Sequence, residues 1–529
     1  MSPRQITLCL WLLPVLFTAL LGAMLAVSLP LWQVFNLDPD YYYLFNGLLV
    51  LEGRAPTDLG HPGTPVQVLI GAVLRLMHPF TPTERIIDTV LHQPERHLLV
   101  ATVVIYPFVA AALFVLGRAF HRATGSLWPA LLAQATPFLS MIIPKFSLHP
   151  KPEPFLIVAA CFLVAAALAV ARAEKQGDRH AIWLGMAMGF GIAIKLQFAV
   201  LGVVPLLLLD RRRLFLIYPM ATIAAFFVFV APALPSYEIF LDWWTRVLTH
   251  SGAYGTGTAS VIDPGKFPRT IIKIFGSKII FTITIIAMLV VLAAYARMRR
   301  RGVMAANPLA RLAVGMILAQ VLTVIVVAKQ SAAHYLIPAL MLTGPTLAVL
   351  WHITAQATDP LRHRRAWQAV AAVLVILSIP ASWSQTMELR QWTREAQGFD
   401  MKRYDGCAKI YFDSSSALSY ALQRGDMNSQ GRYSPRLATW MPKDEYTWFT
   451  NDHSWWKNGL MWWNQKVALS EILQRHGGCA VFRGSQPWTL PPRLQKEVPG
   501  FAFDDSCKAG EEDVFTKGIR CDGSPVQPR

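Results

Sequence analysis

Charge is scarce in this chain: charged residues make up 15% of it and hydrophobic residues 54%, where an ordinary soluble domain carries about 25% charged residues. Acidic residues are the scarcer sign, 32 Asp and Glu against 49 Lys and Arg, for a formal net charge of +17. Such a balance suits nucleic acid when the cations share one face. Here they fall in short loops between apolar runs, which argues against nucleic acid and for a membrane. The chain also has no Walker A loop, no Rossmann glycine fingerprint, no HExxH and no nucleophile elbow. Chemistry driven by a bound nucleotide is thereby disfavoured, so any synthesis outside the membrane must draw on an already activated substrate.

What is present in abundance is long apolar sequence. Several runs of about 20 residues carry almost no charge, enough to cross a hydrocarbon core of about 30 Å, and each must be helical because lipid gives backbone groups no partners. Arg118 and Arg122, then Arg172, Lys175 and Arg179, then Arg211 to Arg213, then Arg297 and Arg299 to Arg301, then Arg362, Arg364 and Arg365 occupy alternate loops. With Arg4 they mark the cytoplasmic side. The spans between them predict about eleven helices, near 7 to 30, 98 to 119, 126 to 144, 154 to 171, 181 to 196, 197 to 209, 214 to 234, 271 to 296, 309 to 328, 333 to 353 and 366 to 383. An odd number with a cytoplasmic N-terminus places the C-terminus outside. The first apolar run shows no small-residue cleavage site, so it reads as an uncleaved helix rather than a signal peptide.

The expected organisation is a transmembrane module over 1–383 and an extracytoplasmic α/β domain over 384–529, with outer loops near 31–97, 145–153 and 235–270. Val66 to Met77 in the first loop is amphipathic and suits a membrane surface. Cys9 and Cys161 lie in apolar helices, where an inert thiol is expected, while Cys407, Cys479, Cys507 and Cys521 all fall in the polar C-terminal segment. An even number there suggests one or two disulfides in an oxidising compartment, with three pairings possible and spacings too wide for a zinc ribbon.

Two strings carry candidate chemistry. In Asn36-Leu37-Asp38-Pro39-Asp40-Tyr41-Tyr42-Tyr43, just after the first helix, two carboxylates stand one residue apart at a membrane boundary. Placing them there is costly unless they bind or catalyse, and either can act as general base toward an acceptor hydroxyl. The bland alternative is a solvated turn at Pro39 beside an interfacial belt of tyrosines. The second string is Lys145-Phe146-Ser147-Leu148-His149-Pro150-Lys151-Pro152-Glu153-Pro154. Lys145 and Lys151 run against the charge bias and suit an anion such as a phosphate, although prolines that stiffen a loop and a Glu153 that complements a helix dipole would need no ligand. Lys195, after Gly189 and Gly191 in an apolar segment, is an expensive ammonium. His334 and Tyr335, and His61 in His61-Pro62-Gly63, complete the candidates; a lone His is more often structural than functional.

In these residues the chain resembles the C-type (GT-C) superfamily of integral-membrane glycosyltransferases, which includes the protein O-mannosyltransferases and the aminoarabinose transferases of lipid A. The resemblance covers about residues 1 to 355 and rests on the acidic pair after the first helix, the acidic residue before the fourth helix, the glycine-rich helix ending in Lys195, and the His-Tyr-Leu-Ile-Pro run at 334 to 338. It implies a GT-C-like polytopic fold and a polyprenyl-phosphate sugar donor. It also implies inversion at the anomeric carbon by direct attack of an envelope glycan, lipid or protein acceptor, at the outer face of a bacterial inner membrane. By the same resemblance Asp40 matches the catalytic acid of the first loop, with Asp38 the close alternative. Glu153 matches a second-loop acidic position where many relatives have Asp, and Lys195 and His334 fall where relatives contact the lipid phosphate. Leaving-group charge on that phosphate calls for Lys145, Lys151, Lys195 or a divalent cation such as Mg2+ or Mn2+.

Two other classes compete. A flippase for a lipid-linked sugar would show internal repeats and mid-membrane charges, whereas the charges here gather at one face. An assembly scaffold would make no use of Asp40.

Overall fold

The computed structural model describes all residues except 34–39, 61, 252–254, 256, 450–458, 464, 486–489, 491–493, 496 and 527–529. The chain divides into two compact units, one of Met1–Ala23, Leu59–Val66 and Thr102–Gln385, the other of Met24–Asp58, Gln67–Ala101 and Thr386–Arg529.

The first unit is helical. Among the described residues, eight helices of the chain are long and apolar enough to cross a membrane: Pro3–Val27, Pro94–Thr124, Pro152–Arg172, Arg212–Thr249, Ile279–Arg300, Pro308–Ala328, Ala333–Ala355 and Pro360–Tyr404. The expected count of about eleven differs from this at three places, each for a local reason. The stretch expected at 126 to 144 is broken into Leu127–Gln134, Thr136–Phe138 and Ile142–Ser147, because Pro137 and Pro144 cannot continue an i to i−4 ladder. The run expected at 181 to 196 is Asp178–Ile194, only 17 residues, and the next is a 3-10 turn, Leu196–Gly202, leading into Val203–Leu208. Lys195 sits at the break in extended backbone, where the sequence expects it.

Small residues let these helices approach closely. Gly185 and Gly189, four apart, face the Arg212–Val230 helix, and a Cβ on Gly189 would come within 2.5 Å of the Thr222 carbonyl oxygen. This is the small-xxx-small contact that packs helices where there is no hydrophobic drive between them.

The second unit combines the segments around the first loop with the C-terminal part of the chain. Its seven described strands, β1 (Ala408–Phe412), β2 (Glu445–Phe449), β3 (Gly459–Trp462), β4 (Gln465–Lys466), β5 (Ala480–Gly484), β6 (Asp505–Ala509) and β7 (Glu512–Lys517), lie in the order β4-β3-β2-β1-β5-β7-β6. β1 is parallel to β2 and β5, and the outer pairs are antiparallel. This is the mixed α/β character expected of the C-terminal segment. Strand β1 is buried along its whole length, as a central strand covered on both faces must be. Ile410, Phe412, Tyr446, Trp448 and Phe482 form its main core with Leu469 and Ile472.

The helix Tyr41–Leu51 packs on Leu418–Asn428 so closely that a Cβ on Gly425 would stand 2.9 Å from the Tyr41 carbonyl oxygen. The Thr57 hydroxyl donates to the Asn428 carbonyl at 2.5 Å, and Asn46 accepts from the Thr57 and Asp58 amides. The three tyrosines are therefore buried in protein, not an interfacial belt. The Thr64–Met77 helix likewise buries Ile70, Val73 and Leu74, one stripe of its surface, inside the protein instead of offering it to a lipid surface.

The disulfides pair Cys407 with Cys479 and Cys507 with Cys521, while Cys9 and Cys161 are free thiols. The first bridge ties the residue before β1 to the residue before β5 across a separation of 72 residues. Replacing both its cysteines by serine should cost about 2–5 kcal/mol, read as an earlier thermal unfolding of the full chain; an unchanged melting temperature would show the bridge to be dispensable.

Candidate functional site

Charged side chains meet inside the helical unit. Glu153 occupies the first turn of Pro152–Arg172, and Lys195 caps the end of Asp178–Ile194. Their side chains, 4% and 2% exposed, form an ion pair with Lys195 Nζ 2.5 Å from Glu153 Oε1. Deep burial is what makes the pair obligatory, since either charge alone would be very costly in that setting. The other carboxylate oxygen, Glu153 Oε2, is buried and has no hydrogen-bond partner among the described residues. The opposite side of the ammonium meets the ring of Tyr335, with Nζ 5.0 Å from its centroid, a cation–π contact that holds the cation in place.

His334 and Tyr335 share the 3-10 turn Ala333–Leu336, with ring centroids 4.3 Å apart, and Phe146 packs on His334 at 4.9 Å. Lys151, the buried residue just before Pro152, lies within electrostatic reach of both Glu153 and His334. Lys145 stands on the short helix Ile142–Ser147, beside Phe146 in sequence, and is half-buried. The Gly63 amide donates to the Ile194 carbonyl at 3.2 Å, so the turn that follows His61 reaches the Lys195 break. His61 itself, like Asp38, lies outside the described residues.

Glu153, Lys195, His334, Tyr335 and Lys151 are thus one cluster: a buried cation locked between a carboxylate and a ring, with a second ammonium and an imidazole nearby. Such a group can hold an anion beside an apolar wall. Among the described residues, no group of three or more His, Cys, Asp or Glu side chains that could hold a metal ion is found.

The second unit carries Asp40, buried as the residue that begins the helix Tyr41–Leu51; its carbonyl accepts from the Tyr43 and Leu44 amides. Next to it is a carboxylate the sequence reading passed over. Glu95 accepts from the Tyr41 hydroxyl at 2.7 Å and from the Leu31 amide at 2.8 Å, and Asp40 acts electrostatically on both Tyr41 and Glu95. Burial first, and then the Glu95 charge, push the Tyr41 phenol well above its ordinary range, so it stays a proton donor. Glu95 had one sequence signal, an acid in the first turn of a helix after Pro94, which reads equally as a dipole partner.

A second omission is Arg424, whose buried guanidinium lies 5.5 Å from the Tyr42 ring and 5.3 Å from that of Phe449; an arginine in a polar segment gave no signal of such a cage. In the same unit Arg483 pairs with Glu512 at 2.6 Å beneath a cavity of about 450 Å³ that Trp32, Trp440, Tyr411 and Glu445 also line. Burial raises the Glu445 carboxyl above its usual range.

The buried pair sets a thermodynamic expectation. Glu153→Gln or Lys195→Met alone should cost about 3–5 kcal/mol, and the double variant should recover most of that loss. Denaturation of the detergent-solubilised chain measures it, and additive losses in the double variant would show that the two charges do not compensate one another.

No family model matches the chain, and no curated protein matches it. Among solved structures it is similar to the crystal structure of ArnT from Cupriavidus metallidurans bound to undecaprenyl phosphate, at 12% identity over 95% of this chain and 97% of that one, with a TM-score of 0.45. It is similar also to the same protein in the apo state, at 12% identity over 97% and 99% of the two chains, with a TM-score of 0.47.

Proposed function

We propose that this chain is a membrane glycosyltransferase that moves a sugar from a polyprenyl-phosphate donor to an envelope acceptor at the outer face of a bacterial inner membrane. The observation that carries the proposal is the Lys195 cluster, a fixed cation at a helix break inside an apolar helical unit. A lipid phosphate needs that combination: charge for its headgroup and hydrocarbon for its tail. Three of the motifs by which the sequence resembles the GT-C superfamily supply its residues: the acid before the fourth helix (Glu153), the glycine-rich helix ending in Lys195, and the 334–338 run with His334 and Tyr335.

In this reading the acceptor hydroxyl gives its proton to the Asp40 carboxylate as its oxygen bonds to the anomeric carbon. The bond from that carbon to the phosphate oxygen breaks, its electron pair leaves with the polyprenyl phosphate, and the configuration inverts. Lys195 and Lys151 offset the charge that develops on the leaving phosphate, and His334 adds a hydrogen bond to it. Glu153 orients Lys195 without touching substrate, which makes it a positioning residue. Tyr41 and Glu95, bonded to one another beside Asp40, set the field in which the base works. A flippase for the same lipid-linked sugar is the competing reading.

Membranes carrying wild type or Asp40→Asn at matched abundance, supplied with a panel of polyprenyl-phosphate sugars and extracted envelope acceptors, test the proposal. Transfer should fall by about 10²–10⁴-fold in the variant, the usual worth of a general base. Equal transfer by both removes Asp40 as the base, and a donor that crosses the bilayer without being consumed favours the flippase.

A further inference from the structure

At the end of the Pro152–Arg172 helix remote from Glu153, three arginines converge on a groove that the transfer chemistry does not use. Arg118 and Arg122 are one helical turn apart on Pro94–Thr124, and Arg172 closes the last turn of Pro152–Arg172. They surround a groove of about 490 Å³ whose floor is apolar and mostly alanine, including Ala119, Ala123 and Ala165. Glu153 and Arg172 are separated by the length of their helix, about 28 Å at 1.5 Å per residue, so this groove and the Lys195 cluster belong to opposite ends of the same unit.

The three arginines share one groove, and among the described residues none of them is neutralised there. Arg213 pairs with Asp178 at 2.6 Å and Arg211 lies 4.0 Å from Asp210. Among the described residues, no carboxylate stands within ion-pair distance of Arg118, Arg122 or Arg172. Arg172 donates to the Ala123 carbonyl, which ties the two helix ends together at the groove they line. Cations in a last turn complement the helix carbonyls, but that accounts for neither the convergence of three on one concavity nor its apolar floor. Guanidinium groups bind phosphate oxygens in a fork, and small side chains beneath them leave room for glycerol and acyl chains.

We infer that this groove binds the phosphodiester headgroup of an anionic phospholipid, its acyl chains running along the alanine floor. Basic pockets between transmembrane helices recognise such headgroups by this combination of charge and hydrocarbon. A free phosphate would use the same guanidiniums and gain nothing from the floor, so the apolar lining selects the lipid. The site is independent of the proposed transfer reaction.

The full chain, delipidated in detergent, would be mixed with dioleoylphosphatidylglycerol, dioleoylphosphatidylcholine or inorganic phosphate, and bound lipid counted by native mass spectrometry. Phosphatidylglycerol should be retained and phosphatidylcholine should not. The double variant Arg118→Gln/Arg122→Gln should hold phosphatidylglycerol roughly 30-fold more weakly, each cation contributing about a factor of five. A control with two basic residues removed elsewhere, Arg297→Gln/Arg299→Gln, should bind as wild type does. Equal retention of the two lipids, an unaltered Arg118→Gln/Arg122→Gln variant, an equal loss in the control, or displacement of the lipid by millimolar inorganic phosphate would each overturn the inference.

Discussion

A buried ammonium in an apolar helical unit can exist only if something compensates it, and the pairing of Lys195 with Glu153 is that compensation. Much of the local architecture follows. The pair joins the beginning of one long helix to the end of another, so the chain must break at Lys195, and the short runs on either side are the consequence. Tyr335 closes the far side of the ammonium and brings with it His334 and, through ring packing, Phe146. A neutral residue at 195 would remove the reason for a carboxylate in the first turn of Pro152–Arg172. A polar cluster costs an apolar unit stability, and its retention here is understood if an anion uses it.

The other unit is held together by the opposite kind of economy, neutral hydrogen bonds and close packing between segments distant in the chain. Asn46, Thr57 and Asn428 link the first-loop region to the C-terminal part, and Gly425 lets Tyr41 approach. Burying Tyr41 forces its hydroxyl to find a partner, which is Glu95, and this places a second carboxylate beside Asp40. The polar C-terminal segment is thus a structural support for the first-loop acid, through the Leu418–Asn428 helix that carries both Gly425 and Arg424.

Features set by local composition were legible in the sequence. Eight of the expected spans coincide with helices long and apolar enough to cross a membrane, because apolar runs in lipid admit no other structure. The break at Lys195, the α/β character of the C-terminal segment and the presence of disulfides among its four cysteines could be read in the same way. The count of spans was less legible where Pro137 and Pro144 cut an apolar run into pieces.

Pairings at long range were not legible at all. Lys195 was conspicuous, but its partner lies 42 residues away, and nothing local says that Glu153 faces it. Glu95 was passed over, because its partner Tyr41 lies 54 residues away in the chain. Arg424 gave no signal of its ring contacts, and the bland alternative of a tyrosine belt after Asp40 gives way to burial of those rings in protein.

Receipt of a lipid phosphate by the Lys195 cluster is the proposal on which the transfer reading depends. Its most direct test is photo-cross-linking of the intact chain in membranes with a diazirine-bearing polyprenyl phosphate, followed by peptide mapping. Labelling is expected in peptides that contain Lys195 or the 334–338 run, competed by unlabelled polyprenyl phosphate and lost in Lys195→Met. Labelling spread evenly over the lipid-facing helices, or unchanged in that variant, would contradict it.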